Sequence, residues 1–413
     1  MKKIQNRWFV AIAGVVMQLM LGSVYGWSVF KKPIMELNQW TKPEVGMAFT
    51  LVIFFLGFAA AVGGKYVDKA GARKIATIGG ILFAIGTLGA AYAIQTSNLI
   101  LLYVFYGVIA GIGNGLGYLT PIAVLVRWFP DKKGLITGMA VMGFGLGAAA
   151  VGQIAPLLIK NPQIGVANTF YLFGIIFFVV LTIAAQFLNN PPADYSVAAA
   201  SAKQSATKVS SATLPEALKM NQFYLLWIAF CINITAGIAL VSNLSPMAQS
   251  QLKITAVAAG TIVAIASLFN GFGRLFWAAI SDKLGRKTAF VLIIATQIPA
   301  FLYLPQTTSY AVFVALTCYI FLCYGGGFGT MPSFAADTFG SKNIGQIYGK
   351  ILFAWAVAGA AGPMLLDLLN DSKLAFTGAA GILLIGLVLI SLYKKPVLKN
   401  TQTPIPELKP VTV

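Results

Sequence analysis

Long apolar runs separated by short polar stretches set the pattern of this chain. Runs long enough to cross a bilayer as helices lie at about 8–30, 45–64, 75–94, 98–126, 135–158 and 167–189. A polar stretch from Asn190 to Met220 follows. Six more runs lie at about 222–249, 255–280, 288–305, 309–335, 345–369 and 374–393. The pattern predicts an all-α membrane protein with twelve transmembrane helices in two six-helix bundles. Residues 1–189 form the first bundle and 221–393 the second. Residues 190–220 form a linker between them and 394–413 a tail.

Composition agrees and removes several other classes. The chain is 58% hydrophobic and 10% charged, where a soluble domain carries roughly 25% charged residues. A formal charge of +18 over 413 residues could point to nucleic acid, but the bases sit between the apolar runs, so topology explains them and no nucleic-acid partner is expected. Of the 29 Lys and Arg, 22 fall on the side of the two termini, the linker and the loops that join even spans to odd. Six lie on the opposite side, and the remaining one is Arg274. The bias predicts a multi-pass inner-membrane protein with both termini in the cytoplasm.

The first run, behind Lys2 and Lys3, is too long for a signal peptide and has no A-x-A site after it, so it reads as a retained helix. The chain has no histidine, which removes the commonest metal ligand and the usual catalytic base. Cys231, Cys318 and Cys323 lie in apolar runs without disulfide or zinc spacing, and no cofactor is expected. The linker is rich in Ala, Ser and Lys and reads as a flexible tether, while the proline-rich tail reads as disordered. Near the linker's end, Thr213 to Glu216 has capping-box spacing and predicts a short surface helix.

Arg274 interrupts an otherwise uncharged stretch from Ile254 to Ser281. It lies eight residues before Asp282, which is about 12 Å of helix. A charge at such depth marks a functional site by default. The alternative is a side chain that snorkels toward the interface. Ser267, Asn270, Arg274, Trp277 and Ser281 are spaced 3, 4, 3 and 4 apart, so they share one helix face. A guanidinium fork matches a carboxylate in two parallel hydrogen bonds, so Arg274 is the candidate anion ligand. Asn270 either bonds a substrate hydroxyl or makes an interhelical contact. Gly271 and Gly273 allow close approach of a helix. In the fourth run, Asn114 precedes Tyr118 by one turn, and Tyr118 could donate to a carboxylate. Glycines 111, 113, 115 and 117 lie within an uncharged span with no strand before them, which argues for helix packing and against a phosphate loop. Gly359, Gly362 and Pro363 suggest a bend in the eleventh run.

The halves repeat. Gly64-x-x-x-Asp68-Lys69-x-Gly71-x-Arg73-Lys74 follows the second run, and Asp282-Lys283-x-Gly285-Arg286-Lys287 follows the eighth, 214 residues on. A parallel repeat of half the length is a transporter signature and places the substrate at the interface of the halves.

The duplicated loop, the twelve runs and the long central loop resemble the major facilitator superfamily over nearly the whole chain. More narrowly, RWFPDKKGLITGMAVMGFGLG, NGFGRLFWAAISDKLGRK and YGGGFGTMPSFAADTFG are similar to the branch that holds oxalate:formate antiporters and bacterial lactate-type monocarboxylate transporters. The resemblance implies that spans one, four, seven and ten line the cavity. Tyr25 and Tyr324 thereby join Tyr118 as candidates, with Phe144, Phe328 and Trp355 as apolar walls. It also implies a gating role for Asp68, Arg73, Asp282 and Arg286 at helix ends. Two positions depart from the relatives. Trp355 stands where the oxalate exchangers carry a second intramembrane cation, and Asn270 where animal monocarboxylate transporters carry a titratable aspartate.

One central cation favours a substrate with one carboxylate, because unpaired charge is expensive in low dielectric. The expected function is secondary active transport of small monocarboxylates such as lactate or pyruvate, coupled to a proton, by a monomer in the lipid bilayer. Carboxylate exchange of the oxalate:formate type is the alternative, and a drug or sugar carrier a more distant one. An enzyme is not expected, since histidine and clustered intramembrane acids are both lacking, and the short tails leave little for a sensor.

Overall fold

The computed structural model describes residues 6–129, 133–192, 211–340, 343–369 and 372–396. Among them twelve helices are long and apolar enough to cross a membrane. In chain order, spans 1 to 6 are Arg7–Asn38, Lys42–Gly63, Ala72–Gln95, Leu99–Trp128, Gly138–Lys160 and Gly165–Gln186. Spans 7 to 12 are Asn221–Leu252, Ala256–Leu284, Arg286–Gln306, Tyr310–Phe339, Ile344–Met364 and Lys373–Ser391. The expected flexible tether and disordered tail fall largely on residues outside the described set.

Packing follows the two sets of six. Span 1 packs on spans 4 and 5, span 2 on span 4, and span 3 on spans 4 and 6. In the second half, span 8 packs on span 10, span 7 on spans 11 and 12, and span 9 on spans 10 and 12. The halves meet where span 2 lies on span 11, span 5 on span 8, and the end of span 1 on span 7. Without a hydrophobic drive between helices in lipid, small residues and close backbones do this work. A Cβ at Gly145 of span 5 would stand 2.7 Å from Gly271 Cα of span 8. One at Gly152 would stand 2.5 Å from the Gly260 carbonyl. The glycine run of span 4 is likewise a packing feature. Gly111 and Gly115 abut span 2, Gly113 abuts span 3, and Gly117 abuts Leu21 of span 1.

Four local features depart from the sequence expectation or add to it. Span 1 was expected to end near residue 30, with Lys31 and Lys32 in a loop. Instead the chain makes a 3-10 turn at Gly22–Gly26 and resumes as helix over Trp27–Asn38. The physical reason is that Lys31 has a buried polar partner across the half interface, so its charge does not need the loop. Span 4 contains a π-helical stretch, Tyr103–Ala110, a form that recurs near functional sites. The helix that carries span 11 runs unbroken through Pro363, from Ile344 to Leu369. In it Gly359 and Gly362 give close approach to Ile53 and to the Thr235 carbonyl. The capping box at Thr213 forms as expected, with the Thr213 amide donating to Glu216 at 2.7 Å and a helix over Leu214–Ala217. That backbone bond holds the Glu216 carboxyl below its ordinary range, with help from the Thr213 hydroxyl.

The sequence repeat is also a backbone repeat. Gly71 has φ +86 and ψ 143, and Gly285 has φ +88 and ψ 149, each joining two helices. Only glycine adopts this region without strain. A Cβ at either position would meet nothing within 4 Å, so the requirement is conformational and not steric. Gly71→Ala and Gly285→Ala are each expected to lose about 1–3 kcal/mol, seen as a lower melting temperature in detergent. An unchanged melting temperature would show that these turns relax without cost.

Candidate functional site

Span 8 has two faces. Ser267, Asn270, Gly271, Gly273, Arg274, Trp277 and Ser281 are buried. Leu268, Phe269, Phe272 and Phe276 on the other side are 41–61% exposed on the protein surface. The expected polar face is therefore the inward one, and Arg274 does not snorkel, since it is 0% exposed.

Two helices converge on Arg274 through glycines. Gly145 of span 5 brings its backbone so near that a Cβ there would sit 3.1 Å from Arg274 Nε. Gly325 and Gly329 of span 10 press against the backbone carbonyls of Asn270 and Arg274. Ser267 Oγ donates to the Gly145 carbonyl at 2.8 Å and fixes span 8 against span 5 at this level.

Six aromatic side chains form one connected cluster beside the guanidinium, cross-linked by a Phe144–Trp355 contact at 5.6 Å. The centroid distances are 5.8 Å for Tyr25–Tyr324, 5.4 Å for Tyr324–Phe328 and 4.8 Å for Phe328–Trp355. They continue at 5.1 Å for Trp355–Tyr118, 5.0 Å for Tyr118–Phe144 and 5.2 Å for Phe144–Tyr25. The Arg274 Cζ stands 5.7 Å from the Phe144 ring centre and 5.0 Å from that of Phe328. Phe144 belongs to span 5 and Phe328 to span 10, so the cation is held between rings from both halves. Such contacts offset part of the desolvation cost, up to about 2 kcal/mol each when water is excluded.

The hydrogen-bonding capacity at the centre is largely unused. Arg274 Nε, Nη1 and Nη2 have no hydrogen-bond acceptor among the described residues. Trp277 Nε1 and Trp355 Nε1 likewise lack an acceptor, and Asn270 Oδ1 lacks a donor, among the described residues. Tyr25 and Tyr118 lie near enough to feel the guanidinium charge, without a bond of good geometry to it. Tyr25 and Tyr324 instead bond each other, oxygen to oxygen at 2.8 Å, joining span 1 to span 10. A buried guanidinium with unmade bonds is costly, and the matching chemistry is a small anion with planar acceptors.

The other expected residues distribute as follows. Asn114 donates to the Leu21 carbonyl at 2.9 Å, so its amide nitrogen ties span 4 to span 1 and only its oxygen is unengaged. Asp282 and Arg286 pair at 2.5 Å, and Arg286 Nε also donates to Asp337 at 2.8 Å. This cluster ties the ends of spans 8, 9 and 10 within one half. Its carboxylates are 65% and 52% exposed, where ion pairs contribute little. Arg73 is exposed, and the Asp68 side chain lies outside the described residues. Sequence reading missed Asp337, Lys31 and Tyr348. The hydroxyl of Tyr348 feels both Arg274 and Tyr118, and its signal was a spacing of seven from Trp355, which puts both on one helix face.

The profile of the Major Facilitator Superfamily matches residues 7–363. The chain is 28% identical over 357 residues to the uncharacterized MFS-type transporter YhjX of Escherichia coli (strain K12), covering 86% of each chain. It is 29% identical over 362 residues to the oxalate:formate antiporter of Oxalobacter formigenes, covering 86% of this chain and 82% of the antiporter. A bacterial homologue of the human lysosomal transporter Spinster, inward-facing and occupied, superposes with a TM-score of 0.73 over 94% of this chain and 96% of its own, at 14% identity. At that identity the likeness shows the fold alone.

The Tyr25–Tyr324 bond makes a test of the cluster. Tyr25→Phe and Tyr324→Phe each leave one buried hydroxyl unpaired, and each is expected to destabilise by about 1–3 kcal/mol. The double variant is expected to recover part of the loss. Additive losses in a thermal-melt cycle would show that the two hydroxyls do not interact.

Proposed function

The chain belongs to the major facilitator superfamily, a family of transporters and not of enzymes, and from that premise we propose that it carries small monocarboxylates such as lactate, by alternating access and in symport with a proton. The observation that carries this reading is Arg274, fully buried, with all three guanidinium nitrogens lacking an acceptor of good geometry among the described residues. A carboxylate would take two of those donors in parallel. On this reading the Tyr25 and Tyr118 hydroxyls and Trp355 Nε1 would bond the remaining lone pairs, and Asn270 Oδ1 would accept from a substrate hydroxyl. Phe144 and Phe328 would exclude water, which strengthens the central ion pair.

Charge sets the size class. Among the described residues a single cation, Arg274, touches the aromatic cluster, and Trp355 lies between Phe328 and Tyr118. A second carboxylate there would meet apolar rings and pay an uncompensated desolvation cost. The positive-inside bias supports cytoplasmic termini in an inner membrane. Entry of an anion against a negative interior costs about 2.3 kcal/mol per 100 mV, and one accompanying proton removes that cost. The described residues hold no carboxylate at the cluster, so the proton would travel on or beside the substrate.

The two halves supply a two-state frame. Arg274 is touched by a ring from each half, and the Tyr25–Tyr324 bond joins the halves at the same level. A ligand that neutralises Arg274 would remove much of the desolvation cost of enclosing a bare charge within closing walls. Binding and closure are thereby coupled through one side chain.

The oxalate:formate relative favours a second reading, exchange of one carboxylate for another. Both readings are tested with labelled lactate in proteoliposomes. Proton symport expects faster uptake under an inward proton gradient, whereas exchange expects uptake that depends on carboxylate loaded inside. Arg274→Gln, which breaks a buried pair worth about 3–5 kcal/mol, is expected to lower uptake at least 100-fold. Full uptake by Arg274→Gln would overturn the site, and equal uptake with and without the gradient would overturn proton coupling.

A further inference from the structure

The repeated turn that joins spans 2 and 3 in one half and spans 8 and 9 in the other has a cavity beside each copy. The first, of about 500 Å³, is lined by Arg73, Lys74, Thr77, Gln186, Asn189 and Asn190, among others. The second, of about 420 Å³, is lined in part by Asp282, Arg286, Lys287, Asp337 and Lys395. Both lie at the Lys- and Arg-rich face of the chain.

The two cavities differ in charge. In the second, Arg286 pairs with Asp282 and with Asp337, so its cation is met from within the protein. In the first, no described carboxylate lines the walls. Arg73 and Lys74 are exposed there and make no ion pair among the described residues. The repeat locates the difference. Asp337, at the end of span 10, stands 210 residues after Arg127, at the end of span 4. One half thus carries a carboxylate where the other carries a cation. Arg127 Nη1 donates to Asn190 Oδ1 at 2.9 Å, which brings this third cation to the wall of the first cavity. Gln186 Nε2 donates to Thr77 Oγ1 at 3.3 Å and ties span 6 to span 3 beside it.

Cations with amide and hydroxyl groups around them, and no carboxylate, suit an anion with several acceptor oxygens, such as a phosphate. The neighbouring surface decides which molecule carries that phosphate. Ile78, which also lines the cavity, and Ile85 are exposed on one face of span 3. Ile183 and Val179 are exposed on the face of span 6 that carries Gln186. These apolar side chains continue from the cavity into the membrane-spanning lengths of both helices. A soluble phosphate would use none of them. A lipid would set its headgroup in the cavity and its acyl chains along them, as basic pockets between membrane helices do with anionic headgroups.

We infer that the cavity between spans 3 and 6 binds the phosphate headgroup of an anionic lipid through Arg73 and Lys74, in the leaflet on the Lys- and Arg-rich side. The lipid gives this half the counter-charge that Asp282 and Asp337 give the other, and it bridges the start of span 3 to the end of span 6. The inference holds whichever substrate is carried.

The test is native mass spectrometry of the full chain in neutral detergent, titrated with phosphatidylglycerol or with zwitterionic phosphatidylcholine. Two cations beside an anionic headgroup are expected to make wild type hold phosphatidylglycerol about tenfold more tightly than phosphatidylcholine. The double variant Arg73→Gln, Lys74→Gln is expected to lose that preference. Lys394→Gln, Lys395→Gln removes the same charge from the same face, away from this cavity, and is expected to keep it. Full preference in Arg73→Gln, Lys74→Gln would overturn the site, and so would equal loss in the two double variants, which would show diffuse surface charge. Release of the lipid by millimolar inorganic phosphate would mark a soluble-anion site and overturn the lipid.

Discussion

The desolvation of one guanidinium governs the centre of this protein. A charge moved out of water into a helical membrane bundle loses several kcal/mol of hydration, and the surroundings must return most of it. Around Arg274 they do so with two ring faces, glycine-lined backbones and a cluster of hydroxyl and indole groups. None of these is a full counter-charge. The centre is therefore stable enough to fold yet keeps unused donors, the balance that the proposed anion site requires.

That balance explains the distribution of small residues. Spans 5 and 8 approach through Gly145, Gly152, Gly260 and Gly271, and spans 8 and 10 through Gly273, Gly325 and Gly329. Arg274 is 0% exposed, so bulk water screens its field little. Close backbones also make the interface between the halves smooth. Smooth contacts held by dispersion, with few polar bonds across them, can separate and reform at modest cost. Among the described residues, the polar bonds that cross include Tyr25–Tyr324, Lys31–Asn243 and Ser267–Gly145, and they are correspondingly informative.

Charged groups divide by burial. Asp282, Arg286 and Asp337 form a network at the ends of three helices, but its carboxylates face solvent and the network stays in one half. Its effect is to fix helix ends. Lys31 and Arg274 are buried, and each meets groups from the opposite half. Only charges of the second kind change their energy greatly when the halves move, because only they exchange protein for water.

Much of this was legible in the chain alone. The spans, their two sets of six and the inward face of span 8 follow from hydropathy and from 3.6-residue periodicity, which act locally. The repeat at Gly71 and Gly285 was visible as letters and reappears as matching backbone angles. Tyr25, Tyr118, Phe144, Tyr324, Phe328 and Trp355 were separately nominated, but that they form one cluster is a property of five helices meeting. No spacing within a single helix contains it. Asn114 shows the same limit, since its bond to Leu21 depends on how span 4 meets span 1. Lys31 shows it most clearly. By hydropathy a lysine after an apolar run belongs in a loop, and it was read so. Only the packing of span 1 on span 7 supplies Asn243 as a partner. Sequence by itself determined which segments are buried in lipid and which face of each turns inward, because those depend on single-helix periodicity. Tertiary structure alone decided which buried charges are satisfied and which are left with unused donors, because that depends on atoms contributed by distant helices.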